Sequence, residues 1–291
     1  MQAVFPNTWA DHYNRRVSFP WKTSLALAGG LLIAASALAW QKPFHEYPGQ
    51  DNIELPADYQ VPAEWIFARL MYPPYYGGYG RFGGGRNWKL GNSSWTTDYT
   101  AADRHVARAL RRLTRINVRS VEQAVDLDDM DDVFNFPWLY AVEVGRWRLT
   151  DTQAQQLRNY LQRGGFFFVD DFHGSREWQI FMESMQRVFP DRQVVDIPNS
   201  DPIFHAVYDL ENRFQVPGAQ YLRSGRTYEQ DGYEPRWRGI YDDNGRLMVA
   251  ICANMDLGDA WEYADWPEYD EKFSGLSFRI VTNYAVYSMT H

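Results

Sequence analysis

A three-layer α/β sandwich around a mainly parallel central sheet is the fold this sequence predicts, and three observations predict it. Segments of strand and helix character alternate along most of the chain. The run Phe166-Phe167-Phe168-Val169 is apolar at every position, as a central parallel strand covered on both faces must be. Hydrophobic residues make up 45% of the chain and aromatic residues 16%, which is enough to fill such a core and excludes global disorder.

Residues 1–22 are polar and unpatterned. Arg15, Arg16 and Lys22 precede the uncharged run 23–39, which ends in Ala37-Leu38-Ala39, the small-x-small form of a signal-peptidase site. The run is slightly short for a spanning helix, yet Trp40 suits an interfacial anchor with the positive residues kept inside. Residues 23–40 therefore read as an N-terminal hydrophobic helix, either a cleaved signal peptide or a retained transmembrane anchor. Both versions place the rest of the chain in the cell envelope, exported to the periplasm or anchored outside the cytoplasm. Residues 41–62 are polar and proline-containing and read as a linker, and residues 63–291 as the α/β domain.

The formal net charge is −8, and −10 once the first 39 residues are set aside, which argues against a nucleic-acid partner. A single cysteine, Cys252, forbids an internal disulfide and excludes a Cys-rich zinc site.

Within the domain, Trp65–Leu70 reads as the first strand, followed by a loop rich in glycine and tyrosine from Tyr72 to Trp88. That loop lacks the Lys-Ser/Thr of a phosphate loop. Ala102, Val106, Leu110 and Leu113 mark a helix, and Ile116–Val118 a short strand. The acidic stretch Asp126–Asp132 lacks the glycine and closing glutamate of a calcium loop and reads as a solvated connection. Phe136–Val142 is a third strand. Thr150 and Gln153 have capping-box spacing, Ala154, Leu157 and Leu161 continue a helix, and Gly164-Gly165 stops it. After Phe166–Val169 come an amphipathic helix through Trp178, Phe181, Met185 and Phe189, a strand over Gln193–Ile197, and a hairpin turning at Asn244-Gly245. A closing helix runs through Phe273, Ile280 and Tyr287.

Two polar constellations carry the chemistry. Ligands of open parallel α/β sheets bind beyond the carboxyl ends of the strands, which is where Asp170, Asp171 and His173 fall. Carboxylates and imidazole are divalent-ion ligands, but adjacent strand residues point to opposite faces, so both acids meet one ion only if the backbone turns between them. Otherwise Asp171 or Ser175 caps the next helix while Asp170 bonds loop amides. The second constellation is Asp256, Asp259 and Glu262, spaced to share one helical face and interleaved with Trp261, Tyr263, Trp266 and Tyr269. Aromatic faces with carboxylates suit a sugar or a cationic ligand, and a pair of carboxylates suits glycoside hydrolysis. The alternative is a lid whose aromatics pack inward and whose acids face water. His105 and His205 read as structural.

Four pieces in order, WTTDYTAAD from Trp95, FPWLYAV from Phe136, LRNYLQRGGFFFVDD from Leu157 and NMDLGDAWE from Asn254, resemble the bacterial family called domain of unknown function 4159. The resemblance covers nearly all of residues 63–291 and implies a flavodoxin-like sheet of the class I glutamine-amidotransferase-like type. It also implies envelope partners, von Willebrand factor A-type proteins with MoxR-type ATPases. Amidotransferases of that fold use a cysteine on a strained turn, whereas Cys252 lies inside an apolar run, so the cysteine triad is not expected. Three readings follow. One is a ligand- or partner-binding module using Asp98, Asp170, Asp171, His173, Asp256, Asp259, Trp261 and Glu262. The second is a metal-assisted or carboxylate-driven hydrolase of an envelope glycan or small molecule built on the same residues. The third is a purely structural component of a membrane complex. No cofactor and no catalytic residue is identified from the sequence.

Overall fold

The computed structural model of the chain describes residues 42–49, 53–75 and 87–291. The hydrophobic helix expected at residues 23–40 and the centre of the glycine-tyrosine loop, residues 76–86, lie outside them. Among the described residues no helix is long and apolar enough to cross a membrane.

Seven strands form one sheet: β1 (Ala68–Met71), β2 (Gln123–Asp126), β3 (Trp138–Ala141), β4 (Phe166–Val169), β5 (Val195–Asp196), β6 (Arg236–Tyr241) and β7 (Leu247–Ala253), in the spatial order β2-β1-β3-β4-β7-β6-β5. The first five in that order run parallel, and β6 and β5 extend one edge antiparallel. The helices are α1 (Ala101–Leu113), α2 (Met130–Val133), α3 (Asp151–Gln162), α4 (Gly174–Val188), α5 (Tyr221–Ser224), α6 (Leu257–Glu262) and α7 (Glu271–Thr290).

The strands alternate between two apolar layers, as the period of two requires. Leu70, Leu139, Phe167, Val169 and Val249 pack with Leu157 and Leu161 of α3 and with Phe181 and Met185 of α4. Trp138, Tyr140, Phe166 and Phe168 face the other way, onto Val106 and Leu110 of α1 and Ile280 and Tyr284 of α7. Burying each of these side chains stabilises the fold by about 1.5–3 kcal/mol. Cys252 lies fully buried in the second layer.

Local chemistry sets the element ends. At the start of α3 the Thr150 hydroxyl accepts from the Gln153 amide at 3.1 Å, and the Gln153 side chain accepts from the Thr150 amide at 3.0 Å. Gly164 leaves the helix at φ 109°, and a Cβ on Gly165 would lie 2.3 Å from the Tyr160 ring, so both glycines of the pair are required. The β6–β7 hairpin turns through Gly245 at φ 82°.

Two expectations shift. Ile116–Val118 forms no strand; Val118 makes only an isolated bridge to Trp65. The edge strand β2 lies further on, at Gln123–Asp126, and takes in the start of the acidic stretch. The acids after it are met by lysines: Lys89 donates to Asp126 at 2.6 Å and to Asp128 at 2.7 Å, and Lys42 pairs with Asp129. The described part of residues 41–62 lies against the domain, through Glu46 and the Ile53 carbonyl on Arg104, and Asp58 on Arg111 at 2.8 Å.

Candidate functional site

The carboxyl ends of the parallel strands open into loops with an uncommon backbone. Glu143, two residues past β3, and Asp171, two past β4, sit at register-equivalent places and both take left-handed conformations, φ 54° and 52°. Asn254, one past β7, has φ 62°, and Asp98, ahead of α1, has φ 58°. Each such non-glycine residue costs of order 1–3 kcal/mol, and strain of this kind gathers where function needs a side chain aimed against the chain's preference. The left-handed turn at Asp171 parts it from Asp170, and the two acids do not meet at one point as the metal reading of the loop required: Asp171 joins Asp98 and Asp256, whereas Asp170 does not.

The result is convergence. Carboxylate oxygens of Asp98, Asp171 and Asp256 all lie within 4.8 Å of one another, and so do those of Asp98, Asp259 and Glu262. Asp98 belongs to both groups. It reaches them because Arg69, wholly buried on β1, holds the chain on either side of Thr96: its guanidinium donates to the carbonyls of Trp95 at 3.1 Å and Thr97 at 2.9 Å, while Asp103 takes its other face. Two glycines make room. A Cβ on Gly258 would stand 2.1 Å from Asp98 Oδ2, and one on Gly218 would stand 2.4 Å from Asp256 Oδ2 and 2.7 Å from Asp259 Oδ2.

Backbone amides hold the acids from behind. Asp256 caps α6 by accepting from the Asp259 amide at 2.8 Å, and Asp259 accepts from the Ala219 amide at 2.5 Å. Asp170 accepts from the amides of Leu257 at 2.7 Å and Gly258 at 3.2 Å, so it fastens the first turn of α6 and stands just behind the cluster. Asp98 Oδ2 is buried and accepts no hydrogen bond, and the Tyr140 hydroxyl lies buried beside Asp170. A Cβ on Gly258 would meet both atoms, which places the Tyr140 hydroxyl at the edge of the cluster.

Electrostatics follow from this crowding. Burial, then the charges of Asp259, Glu262 and Asp171, pushes the Asp98 carboxyl well above the usual carboxylate range, and Arg69 offsets little of it. Burial and the neighbouring acids do the same to Asp256. Burial raises Asp259 as well, against the Ala219 amide. Asp170 is pushed up to about 7 by burial, opposed by the Tyr140 hydroxyl and the two amides. His173 Nε2 lies 3.2 Å from Asp171 Oδ1; burial disfavours its charge, but Asp171, with Glu229 and Glu177, outweighs burial and its pKa is raised. Glu143 is held high by burial and by Asp171, although Arg146 lies 2.8 Å from it.

The residues singled out in the sequence thus separate into three kinds. Asp98, Asp171, Asp256, Asp259 and Glu262 converge. Asp170 and His173 support the cluster from behind and beside it. Trp261 is buried among the rings of Phe67, Tyr140 and Phe168, so it belongs to the core beneath the site. Neither Asp171 nor Ser175 caps α4: His173 is the cap residue, and Glu177 reaches back to its amide at 2.7 Å. Sequence reasoning missed Glu143, Tyr140 and the two glycines. Only the position of Glu143 just past a strand was a signal for any of them.

A family model described as Domain of unknown function (DUF4159) matches residues 86–289. The chain belongs to this family. The match spans Asp98, the Asp170–His173 loop and the Asp256–Glu262 turn together, so all five converging acids lie within the matched residues. Among curated proteins none matches the chain.

Proposed function

We propose that this domain is a ligand-binding module of the cell envelope whose carboxyl-edge site is completed by a hard divalent cation. The observation that carries it is the convergence of Asp98, Asp171, Asp256, Asp259 and Glu262 around a buried Asp98 Oδ2 that accepts no hydrogen bond, with His173 standing 3.2 Å from Asp171 at its side. Ionised carboxylates this close repel by several kcal/mol per pair at the effective dielectric of a protein, so the cluster needs protons or a cation. An all-oxygen donor set suits Mg²⁺, Mn²⁺ or Ca²⁺ rather than a softer metal. The envelope setting rests on the basic residues and apolar run of residues 15–39, with either cleavage or anchoring. Proteins of the von Willebrand factor A and MoxR types are the partners that the family resemblance suggests. The parallel strands, counted along the chain, lie in the order 2-1-3-4-5, which supports a flavodoxin-like reading and a site at its switch point.

Thermal unfolding of the full chain tests this reading. A cation that binds the native state raises the midpoint with occupancy. Mg²⁺, Mn²⁺ or Ca²⁺ is expected to raise it in the wild type and not in Asp98→Asn, whereas equal midpoints with and without every ion would end the proposal. A second reading, metal-assisted hydrolysis of an envelope glycan or small molecule, is favoured by the Asp171–His173 pair, which sets an imidazole beside the acids. It predicts that His173→Gln abolishes turnover of a responsive substrate and leaves the ion-induced rise in place.

A further inference from the structure

The two groups of carboxylates share one residue, Asp98. Asp171 and Asp256 follow the ends of β4 and β7 and group with Asp98; Asp259 and Glu262, one helical turn apart on α6, group with it as well. A carboxylate has two oxygens and about four lone-pair directions, enough to serve two ions at once. In Asp98, Oδ2 is buried and accepts no hydrogen bond from the chain. That oxygen awaits a partner that the chain does not supply. Charge points the same way. Five ionised carboxylates around one divalent ion leave a buried excess of negative charge, and a second ion removes most of it.

We propose that the site holds two hard divalent cations bridged by Asp98, one ligated with Asp171 and Asp256 and the other with Asp259 and Glu262. The proposal rests on the cation reading given above and makes it specific. Paired divalent ions about 3.5–4 Å apart, sharing a carboxylate, clamp an oxyanion between them, so the ligand class of this site is a phosphate or another oxyanion. Arg69 is the positioning residue: it fixes the carbonyls of Trp95 and Thr97 and so the left-handed turn that brings Asp98 into both groups.

Equilibrium dialysis of the full chain against Mn²⁺, with elemental analysis and electron paramagnetic resonance, tests the pairing. The wild type is expected to hold two ions per chain with the broadened spectrum of coupled Mn²⁺. Asp256→Asn and Glu262→Gln are each expected to hold one ion with an uncoupled spectrum, and Asp98→Asn none. Asn tolerates the left-handed backbone at position 98, and circular dichroism of each variant checks that it has folded. One ion per wild-type chain would overturn the pair and leave the single-cation reading standing. Two ions retained in Asp98→Asn would overturn the bridge. No ion in a folded wild type would overturn both readings.

Discussion

Two clusters of buried charge lie on the same side of the sheet and have opposite characters. Around Arg69 and Arg104 every acid has a basic partner: Arg69 grips Asp103 through two guanidinium nitrogens, and Arg104 reaches Glu122 and Glu46. A few residues away, Asp98, Asp171, Asp256, Asp259 and Glu262 converge, with amides behind Asp256 and Asp259 and the His173 imidazole beside Asp171. Buried charges persist when paired, so the first cluster is an ordinary structural solution. The second is not solved by the chain itself. The difference teaches that burial of acids is a poor marker of function on its own, and that a crowd of acids around a buried carboxylate oxygen left without a hydrogen bond is a better one. The two clusters are also joined, because Arg69 holds the segment that carries Asp98.

The largest test breaks the paired cluster. Arg69→Met leaves Asp103 buried and alone, and unfolding in urea is expected to show a loss of about 3–5 kcal/mol. Arg69→Met with Asp103→Leu is expected to recover most of that stability but not the response to cations, because the carbonyls of Trp95 and Thr97 stay unheld. Recovery of both would separate the clusters and remove Arg69 from the site.

A pH series sharpens the contrast next. A carboxyl whose pKa is raised on folding adds stability below its unfolded value near 4 and loses it as pH rises through the folded value. Asp170, pushed up to about 7, alone accounts for about 4 kcal/mol on this basis. The raised His173 changes in the same direction, losing its contribution as pH rises through its folded value. Asp98, Asp256 and Asp259 add to the trend. Without cations the midpoint of thermal unfolding is therefore expected to fall between pH 5 and pH 8, and saturating Mg²⁺ or Mn²⁺ to flatten that fall. A midpoint that rises over the same range would contradict the crowding of unpaired acids.

A smaller perturbation acts on one side of the cluster. Gly258→Ala puts a methyl group where Asp98 Oδ2 now lies and is expected to cost about 1–3 kcal/mol and weaken cation binding more than tenfold, read by the shift in midpoint. The smallest effect lies far from both clusters. Thr150→Ala removes half of the capping box of α3 and is expected to cost about 1 kcal/mol in urea unfolding with the cation response intact.

That last residue also marks what the sequence made legible. Thr150 and Gln153, the all-apolar Phe166–Val169 and the Asn244-Gly245 turn report local preferences, and each element forms where those residues place it. Asp256, Asp259 and Glu262 were readable for the same reason, since a spacing of three is a helical turn. The edge strand β2 was not, because four residues ending in Asp126 have no alternation to distinguish them from the acidic turn that follows. The union of Asp98 with Asp171 and Asp256 was also beyond reach. It depends on Arg69 holding carbonyls 26 and 28 residues away and on left-handed backbone at Asp98 and Asp171, neither of which leaves a periodic trace. Trp261 was legible as an aromatic near the acids, yet the face it presents depends on α6 lying over Tyr140 and Phe168.

The central claim is that the chain leaves its acid cluster to be completed by a cation. Calorimetric titration of the full chain with Mn²⁺ at pH 7, in two buffers of different ionisation enthalpy, tests it most directly. Saturable binding is predicted in the wild type, with protons released as the raised carboxyls give way to the ion, and no binding is predicted in Asp98→Asn. A wild type that binds no Mn²⁺, Mg²⁺ or Ca²⁺, or an Asp98→Asn variant that binds as the wild type does, would contradict the account.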